Sequence, residues 1–277
     1  MDKNITDSES YILLIKAFEE ALDEIEGKED DIWYVISVLS EVRFKYLMRI
    51  VSDELFLSYE HAIKILNENV KKNRDEVNDN KALVLIAAME NLLAFSVCEQ
   101  YQMMSDMPED IYIDEFEETE AEKTFYKYNG VFASVENNVV AQSAIVAYAW
   151  SRFDNREMLQ YTTQRDERVR HSHQILDGYV APKDSFPSEM IPPIDYNCRC
   201  FLVSIGNTSE DFEAEPSYYR ERRELIKETS SPVFAESLAT YGAIFGSSHN
   251  YFKVKSEHVD NIDEIMASIQ DNFLNQY

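Results

Sequence analysis

Apolar residues recur at helical spacing through the first half of the chain. Between Ser10 and Gly27 they stand three or four positions apart, a pattern that predicts an amphipathic helix ending at a glycine. Segments 32–51 and 59–70 repeat this pattern with few helix-breaking residues. Segment 81–103 is apolar around most of its circumference, which is typical of the buried central helix of a bundle. The first half is therefore predicted to be a helical bundle.

The pattern changes after Gly130. One more helix is predicted for residues 131–153, and short β-prone stretches, turn residues and six of the seven prolines follow it. Strands are predicted at 158–163 and 201–205. The prolines between them force the connecting loop into extended and turn geometry.

Helical patterning returns near the end of the chain, at residues 218–228 and 259–277. The predicted fold class is α+β, mainly α. We expect an N-terminal helical domain over residues 1–129, a small loop-rich α+β domain over residues 130–255, and a C-terminal helix over residues 256–277.

Composition predicts a folded and strongly acidic protein. Hydrophobic residues make up 45% of the 277 positions, so the chain can bury a core without disulfides. Asp and Glu outnumber Lys and Arg by 52 to 26, which disfavours long-range attraction to nucleic acid or anionic membranes. Residues 109–122 carry eight carboxylates, and we expect a solvated face there; a docking strip for a basic partner is the alternative.

Cysteine usage and the N-terminus favour a reducing compartment. Cys98, Cys198 and Cys200 are too few for a disulfide framework in a chain of this length. The first residues lack the apolar stretch of a signal peptide, and the longest apolar run, 82–89, is too short to span a bilayer. We therefore expect a soluble protein that starts in a cytoplasm.

The densest cluster of chemically reactive residue types lies between Tyr161 and Cys200. Residues 161–178 read Tyr-Thr-Thr-Gln-Arg-Asp-Glu-Arg-Val-Arg-His-Ser-His-Gln-Ile-Leu-Asp-Gly, and a proline-rich loop leads to Tyr-Asn-Cys-Arg-Cys at 196–200. This combination resembles the signature of the Mu F-like phage head morphogenesis family. The residues that match the signature are Thr163, Asp166, Arg168, Arg170, His173, Gly178, Asn197, Cys198, Arg199 and Cys200.

Two further pieces of the resemblance flank the signature in the expected order. Glu136 precedes it in the predicted helix, and residues 241–245 run into residues 249–252 after it. Together the pieces cover about residues 131–255, which makes the second predicted domain a Mu F-like domain. Tyr161 stands where a Trp is more usual.

The resemblance implies a structural component of a virion rather than an enzyme. A minor head protein of a tailed phage would be assembled in the host cytoplasm and associated with the portal protein, other head proteins and the inner capsid. It would assist head assembly and DNA packaging or ejection, with weak or indirect nucleic-acid contact and no membrane. The alternatives are a Mu F-like delivery protein of a toxin or effector, and a weak DNA-binding virion protein.

The arginines of the signature permit two interpretations. Asp166 lies close in sequence to Arg168 and Arg170, which predicts a buried, bidentate ion pair that holds a loop in one geometry. Alternatively, Arg165, Arg168 and Arg170 could form a phosphate-binding strip on an otherwise acidic protein.

Four signature residues are of types that bind zinc. His173, Cys198, Cys200 and His249 could complete a tetrahedral site, and His171 could replace His173. Cys-x-Cys is less common than Cys-x-x-Cys in zinc sites. We therefore expect hydrogen-bonded histidines, small buried cysteines and no cofactor, with zinc as the alternative.

A catalytic interpretation of the same residues would pair Cys198 or Cys200 with His173, or Asp166 with His173. Nothing in the spacing requires this chemistry. A Gly-rich phosphate loop, a His-Glu-x-x-His motif and a serine elbow are all missing from the sequence. We expect no catalytic residues.

Overall fold

The computed structural model describes residues 1–25, 32–108, 119–207 and 231–276. The α-helices are α1 (Lys3–Thr6), α2 (Glu9–Ile25), α3 (Ile32–Glu54), α4 (Tyr59–Asn69), α5 (Asn80–Asp106), α6 (Glu120–Tyr126), α7 (Ala133–Arg152), α8 (His171–Gln174) and α9 (Val259–Leu274). The strands are β1 (Glu157–Thr162), β2 (Val180–Pro182) and β3 (Phe201–Asn207). A π-helical turn, Lys127–Phe132, joins α6 to α7. Short 3₁₀ helices lie at Arg74–Glu76, Lys183–Ser185, Ser188–Met190, Pro232–Phe234, Leu238–Thr240, Asn250–Phe252 and Ser256–His258. The predicted class, α+β and mainly α, is confirmed.

Helices α2 to α5 form the predicted bundle, with α3 and α5 at its centre. The side chain of Ser58 accepts the backbone N–H of His61 at the start of α4, and Asp79 accepts that of Lys81 at the start of α5. These side chains satisfy donors that a helix N-terminus leaves without intrahelical partners. By length and composition α5 could cross a membrane, yet 78% of its apolar window is buried inside the fold. The sequence predicted a buried central helix for segment 81–103, and α5 is that helix.

A buried charge network joins the bundle to α7. Arg43 on α3 is fully buried; its Nε donates to Glu99 Oε2 over 2.8 Å and its Nη2 to Glu136 Oε2 over 3.0 Å. Arg43 Nη1 also donates to Asn137 Oδ1 over 2.5 Å. Burial, together with the charge of Glu99, raises the pKa of Glu136 well above its ordinary value. Arg43 thus supplies the positive charge that two carboxyl groups need in order to be buried at this place.

The described strands form a small antiparallel sheet with the order β2-β1-β3. The predicted strands at 158–163 and 201–205 correspond to β1 and β3, with Tyr161 opposite Leu202. Strand β2 was not predicted, because it is short and contains Pro182. It pairs on one side only, as an edge strand, where proline is tolerated.

Helix α9 confirms the predicted C-terminal helix and packs back onto the N-terminal bundle. Phe273 contacts Phe44 of α3 with ring centroids 4.9 Å apart, and Asn67 of α4 donates to the Leu274 carbonyl over 2.8 Å. One hydrophobic core therefore includes both ends of the described chain. The helix predicted at 218–228 lies outside the described residues, as does most of the acidic segment 109–122.

Candidate functional site

The first half of the signature forms the loop between β1 and β2, and the side chain of Asp177 makes hydrogen bonds across this loop. Asp177 Oδ1 accepts the backbone N–H of Thr163 over 2.8 Å and its hydroxyl over 3.1 Å, while Oδ2 accepts from Arg165 Nε over 3.0 Å. Desolvation opposes ionisation of this carboxyl, but the hydrogen bonds from Thr163 and Arg165 together outweigh it and lower the pKa of Asp177. Gly178 follows with a φ of 83°, which glycine adopts without strain. The loop thus has one geometry between β1 and β2.

A second carboxylate, Asp166, joins this loop to the segment before β3. Arg199 Nη1 and Nη2 donate to its two oxygens over 2.9 and 2.8 Å, and the backbone N–H of Arg168 adds a third hydrogen bond. The hydrogen bonds from Arg199 lower the pKa of Asp166. The predicted bidentate pair therefore exists, but its arginine is Arg199 rather than Arg168 or Arg170. The predicted burial was wrong too, since both side chains are about 40% exposed.

The arginines of the predicted phosphate strip are partly neutralised. Arg165 pairs with Asp177, and Arg170 Nε lies 3.4 Å from Asp195 Oδ2. Arg168 lines a small cavity beside the signature. Carboxylate partners weaken the attraction of Arg165 and Arg170 for phosphate, so phosphate contact stays a prediction without added support.

Beneath the ion-paired loops, one imidazole and two thiols lie together. His173, Cys198 and Cys200 are all buried, and their ligand atoms lie within 4.8 Å of one another. His173 Nδ1 is 3.7 Å from Cys198 Sγ and 3.5 Å from Cys200 Sγ. We call these three residues the His-Cys-Cys cluster. Short helix α8 supplies the histidine, and the residues before β3 supply both cysteines.

The thiols of the cluster differ in acidity because they share a hydrogen bond. The bond from the Cys200 thiol lowers the pKa of Cys198, and burial and the bond from His173 act on it in opposite directions. The same bond to Cys198 raises the pKa of Cys200, and burial raises it further.

Tyr161 of β1 lies against this cluster. Its hydroxyl is fully buried and has no oxygen or nitrogen partner within the described part of the chain, so the two sulfurs are its polar neighbours. Burial raises the pKa of Tyr161 well above its ordinary value, and the neighbouring sulfurs of Cys198 and Cys200 add to this effect. A cavity of about 20 Å³ opens beside the cluster and is lined by residues that include His173, Cys198, Arg199 and Cys200. Its volume accommodates a single water-sized group.

His249 lies elsewhere. Its Nδ1 accepts the backbone N–H of Tyr251 over 3.2 Å, and its ring packs edge-on against Phe95 and Phe245. Burial lowers the pKa of His249 to about 4, so the ring is neutral at physiological pH. The structure thus brings together three of the four residues of the zinc alternative, and His171 is exposed at the start of α8.

A larger apolar pocket of about 300 Å³ lies where α7 meets the segment around His249. Its lining consists of Phe132, Val135, Glu136, Tyr196, His249, Asn250 and Tyr251. Two of the flanking pieces of the resemblance, Glu136 and the 249–252 segment, therefore come together in space. The His-Cys-Cys cluster does not line this pocket.

Comparisons with known proteins agree with the signature. Residues 111–203 match the family described as Phage Mu protein F like protein. A segment of 54 residues is 41% identical to an uncharacterized protein of Methanocaldococcus jannaschii, covering 20% of this chain and 8% of that protein. The chain thus spans less than a tenth of the length of this relative. No solved structure matches the chain.

The family match includes α6, α7, β1, α8 and β2 and extends into β3, so it contains both ion-paired loops and the whole His-Cys-Cys cluster. Over residues 111–203, about a third of the chain, this protein is therefore similar to the Phage Mu protein F like family.

Proposed function

We propose that this chain is a structural minor head protein of a tailed phage that associates with the portal protein and the inner capsid. In this role it assists head assembly and DNA packaging or ejection. The observation that carries the proposal is the family match over residues 111–203, within which Arg199 pairs with Asp166 and Thr163 bonds to Asp177. The family is one of head proteins, which supports the virion as the location and other head proteins as partners.

The geometry of the His-Cys-Cys cluster supports a structural role. A cavity of about 20 Å³ is far below the roughly 300–1,000 Å³ of pockets that bind small molecules. The side chains of His173, Cys198 and Cys200 are buried, and the cavity that adjoins them has room only for a water-sized group. The catalytic pairing of Asp166 with His173 has no support, because Asp166 is engaged by Arg199 at the surface.

The helical bundle and the Mu F-like region share one hydrophobic core, which supports a role in which they contact partners as one unit. Arg43 of the bundle is bonded to Glu136 of α7, and Asn91 of α5 accepts the backbone N–H groups of Ile244 and Phe245 over 2.9 Å. A net charge of −26 disfavours direct binding to packaged DNA, so protein partners are favoured.

The test is association with a portal protein and presence in virions. The full chain would be co-expressed with the portal protein of the genome that encodes it, and complexes would be weighed by native mass spectrometry. Purified virions would be quantified for this chain against the major capsid protein. We expect a stable complex and a low, fixed copy number per particle.

A matched pair of variants sharpens the test. Asp166→Asn removes charge from the pair that joins the two signature loops, whereas Glu167→Gln changes charge at the adjacent exposed residue. We expect weaker portal binding for Asp166→Asn only. Absence of the chain from both portal complexes and virions would refute the proposal.

A further inference from the structure

The His-Cys-Cys cluster has the composition and spacing of a metal site. We propose that His173 Nδ1, Cys198 Sγ and Cys200 Sγ bind one Zn²⁺ ion, with a water molecule as the fourth ligand. This proposal does not depend on the head-assembly role, so either one can be refuted without the other.

The interatomic distances fit a tetrahedral ion. With Zn–S near 2.3 Å and Zn–N near 2.0–2.1 Å, a tetrahedral site places each sulfur about 3.6 Å from the nitrogen. The observed separations from His173 Nδ1 are 3.7 Å to Cys198 Sγ and 3.5 Å to Cys200 Sγ. Both nitrogen–sulfur separations therefore match a tetrahedral ion, and the two sulfurs lie within 4.8 Å of each other.

The choice of metal follows from the donor atoms. Two thiolates and one imidazole are a soft ligand set that selects zinc over the oxygen-binding cations Mg²⁺ and Ca²⁺. Buried thiolates carry a heavy desolvation cost unless a cation lies beside them. Arg199 is directed away to Asp166, so its charge is already engaged at the surface. A bound zinc ion would supply the missing positive charge.

The open side of the cluster can supply the fourth ligand. The cavity of about 20 Å³ adjoins all three donor residues and has room for one water molecule. His249, the fourth residue of the zinc alternative, is engaged by Tyr251 and packed among aromatic rings. A solvent molecule therefore fits this position better than a second histidine.

The hydroxyl of Tyr161 provides an independent observation. The buried hydroxyl has no oxygen or nitrogen partner among the described residues, and the sulfurs of Cys198 and Cys200 are its polar neighbours. Metal-bound thiolates are strong hydrogen-bond acceptors, and groups that bond to ligands hold them in position. Tyr161 would donate to a zinc-bound thiolate and act as a positioning residue.

The experiment measures metal in the full-length protein. The chain would be purified, reconstituted with Zn²⁺, dialysed, and assayed for zinc by mass spectrometry. Replacement of zinc by Co²⁺ would give an absorption spectrum that reports thiolate coordination and coordination number. The ligand variants are His173→Ala, Cys198→Ser and Cys200→Ser. Matched controls at the same residue types outside the cluster are His171→Ala and Cys98→Ser.

We expect one zinc per chain in the wild type and in both controls, and its loss in each ligand variant. Tyr161→Phe should keep thiolate-to-cobalt absorption but bind zinc about 10-fold to 100-fold more weakly. If a ligand variant fails to fold, chelator-treated wild type decides the question: its melting temperature should rise on addition of Zn²⁺ and not of Mg²⁺. A wild type that takes up no zinc, or equal loss in the Cys98→Ser control, would overturn the site.

Discussion

The buried network around Arg43 gives a sharp prediction about charge. Arg43 carries one positive charge and contacts two carboxyl groups, those of Glu99 and Glu136, all inside the core. Because the pKa of Glu136 is raised by burial, we expect only one of the two carboxyl groups to be ionised at neutral pH. Either carboxylate alone can then balance Arg43.

The expected result is strong non-additivity in a double-mutant cycle. Glu99→Gln and Glu136→Gln should each lower the free energy of unfolding by only about 1 kcal/mol, since the remaining carboxyl ionises and keeps the pair. The double variant leaves Arg43 buried without a counter-ion, which costs about 3–5 kcal/mol. The coupling between the two sites is then about 1–3 kcal/mol.

The assay is urea unfolding followed by circular dichroism at pH 7.5. The matched control is the partly exposed pair Lys45–Glu41, whose atoms are 2.6 Å apart and whose cycle should give less than about 1 kcal/mol. Additive losses of 3–5 kcal/mol from each single variant would refute the reasoning, because they would show that both carboxyl groups are charged.

The same network sets a pH dependence. Folding raises the pKa of the Glu136 carboxyl above its value in the unfolded chain, which is near 4.5. The resulting stabilisation is complete below about pH 4.5 and is lost as the pH rises through the pKa of the folded state. Glu136→Gln removes that titration. Its stability relative to the wild type should therefore increase with pH above about 4.5, measured as the free energy of unfolding across the pH range.

Three other variants test separate parts of the fold. Phe273→Ala should cost about 3–5 kcal/mol in unfolding free energy, because it empties the contact that fixes α9 on the bundle; a loss below 1 kcal/mol would mean that α9 is not docked. His249→Asn keeps an acceptor for the Tyr251 N–H but cannot titrate. Because the pKa of His249 is depressed, the wild type loses stability as the pH falls from about 6.5 to 4. The unfolding free energy of the variant should therefore change less with pH across this range. Gly246→Ala would place a Cβ 2.9 Å from the Val233 carbonyl oxygen, so we expect a lower melting temperature, whereas no change would show that this turn can relax.

The helices were predictable because their signal is local. Segment 81–103 is apolar around most of its circumference, and α5 is correspondingly the buried helix of the bundle. The docking of α9 was not predictable, because nothing within 259–277 says which surface covers its apolar face. Arg43 was also hidden: it lies between Leu39 and Leu47 at helical spacing, where an arginine interrupts the apolar stripe. Its position four residues from each leucine is the signal that could have revealed a buried charge.

The candidate site was predictable in its residue types but not in its geometry. The sequence named Asp166, His173, Cys198 and Cys200 as members of one signature, and the fold places them in adjacent loops. It could not say that Asp166 pairs with Arg199, since the two are 33 positions apart and separated by a proline-rich loop. In the sequence, Tyr161 is notable only as a departure from the family pattern. Its contact with the thiols of Cys198 and Cys200 was not predicted.

The ion pairs of the signature are too weak to hold its loops by themselves. The Asp166–Arg199 and Arg170–Asp195 pairs are 30–45% exposed, and such pairs contribute about 0–1 kcal/mol and weaken with salt. Regular secondary structure between β1 and β3 is limited to short elements. The buried His-Cys-Cys cluster is therefore the strongest candidate for the bond that fixes these loops to one another. If so, the surface pairs select the loop geometry, while zinc at the cluster would supply most of the free energy that maintains it.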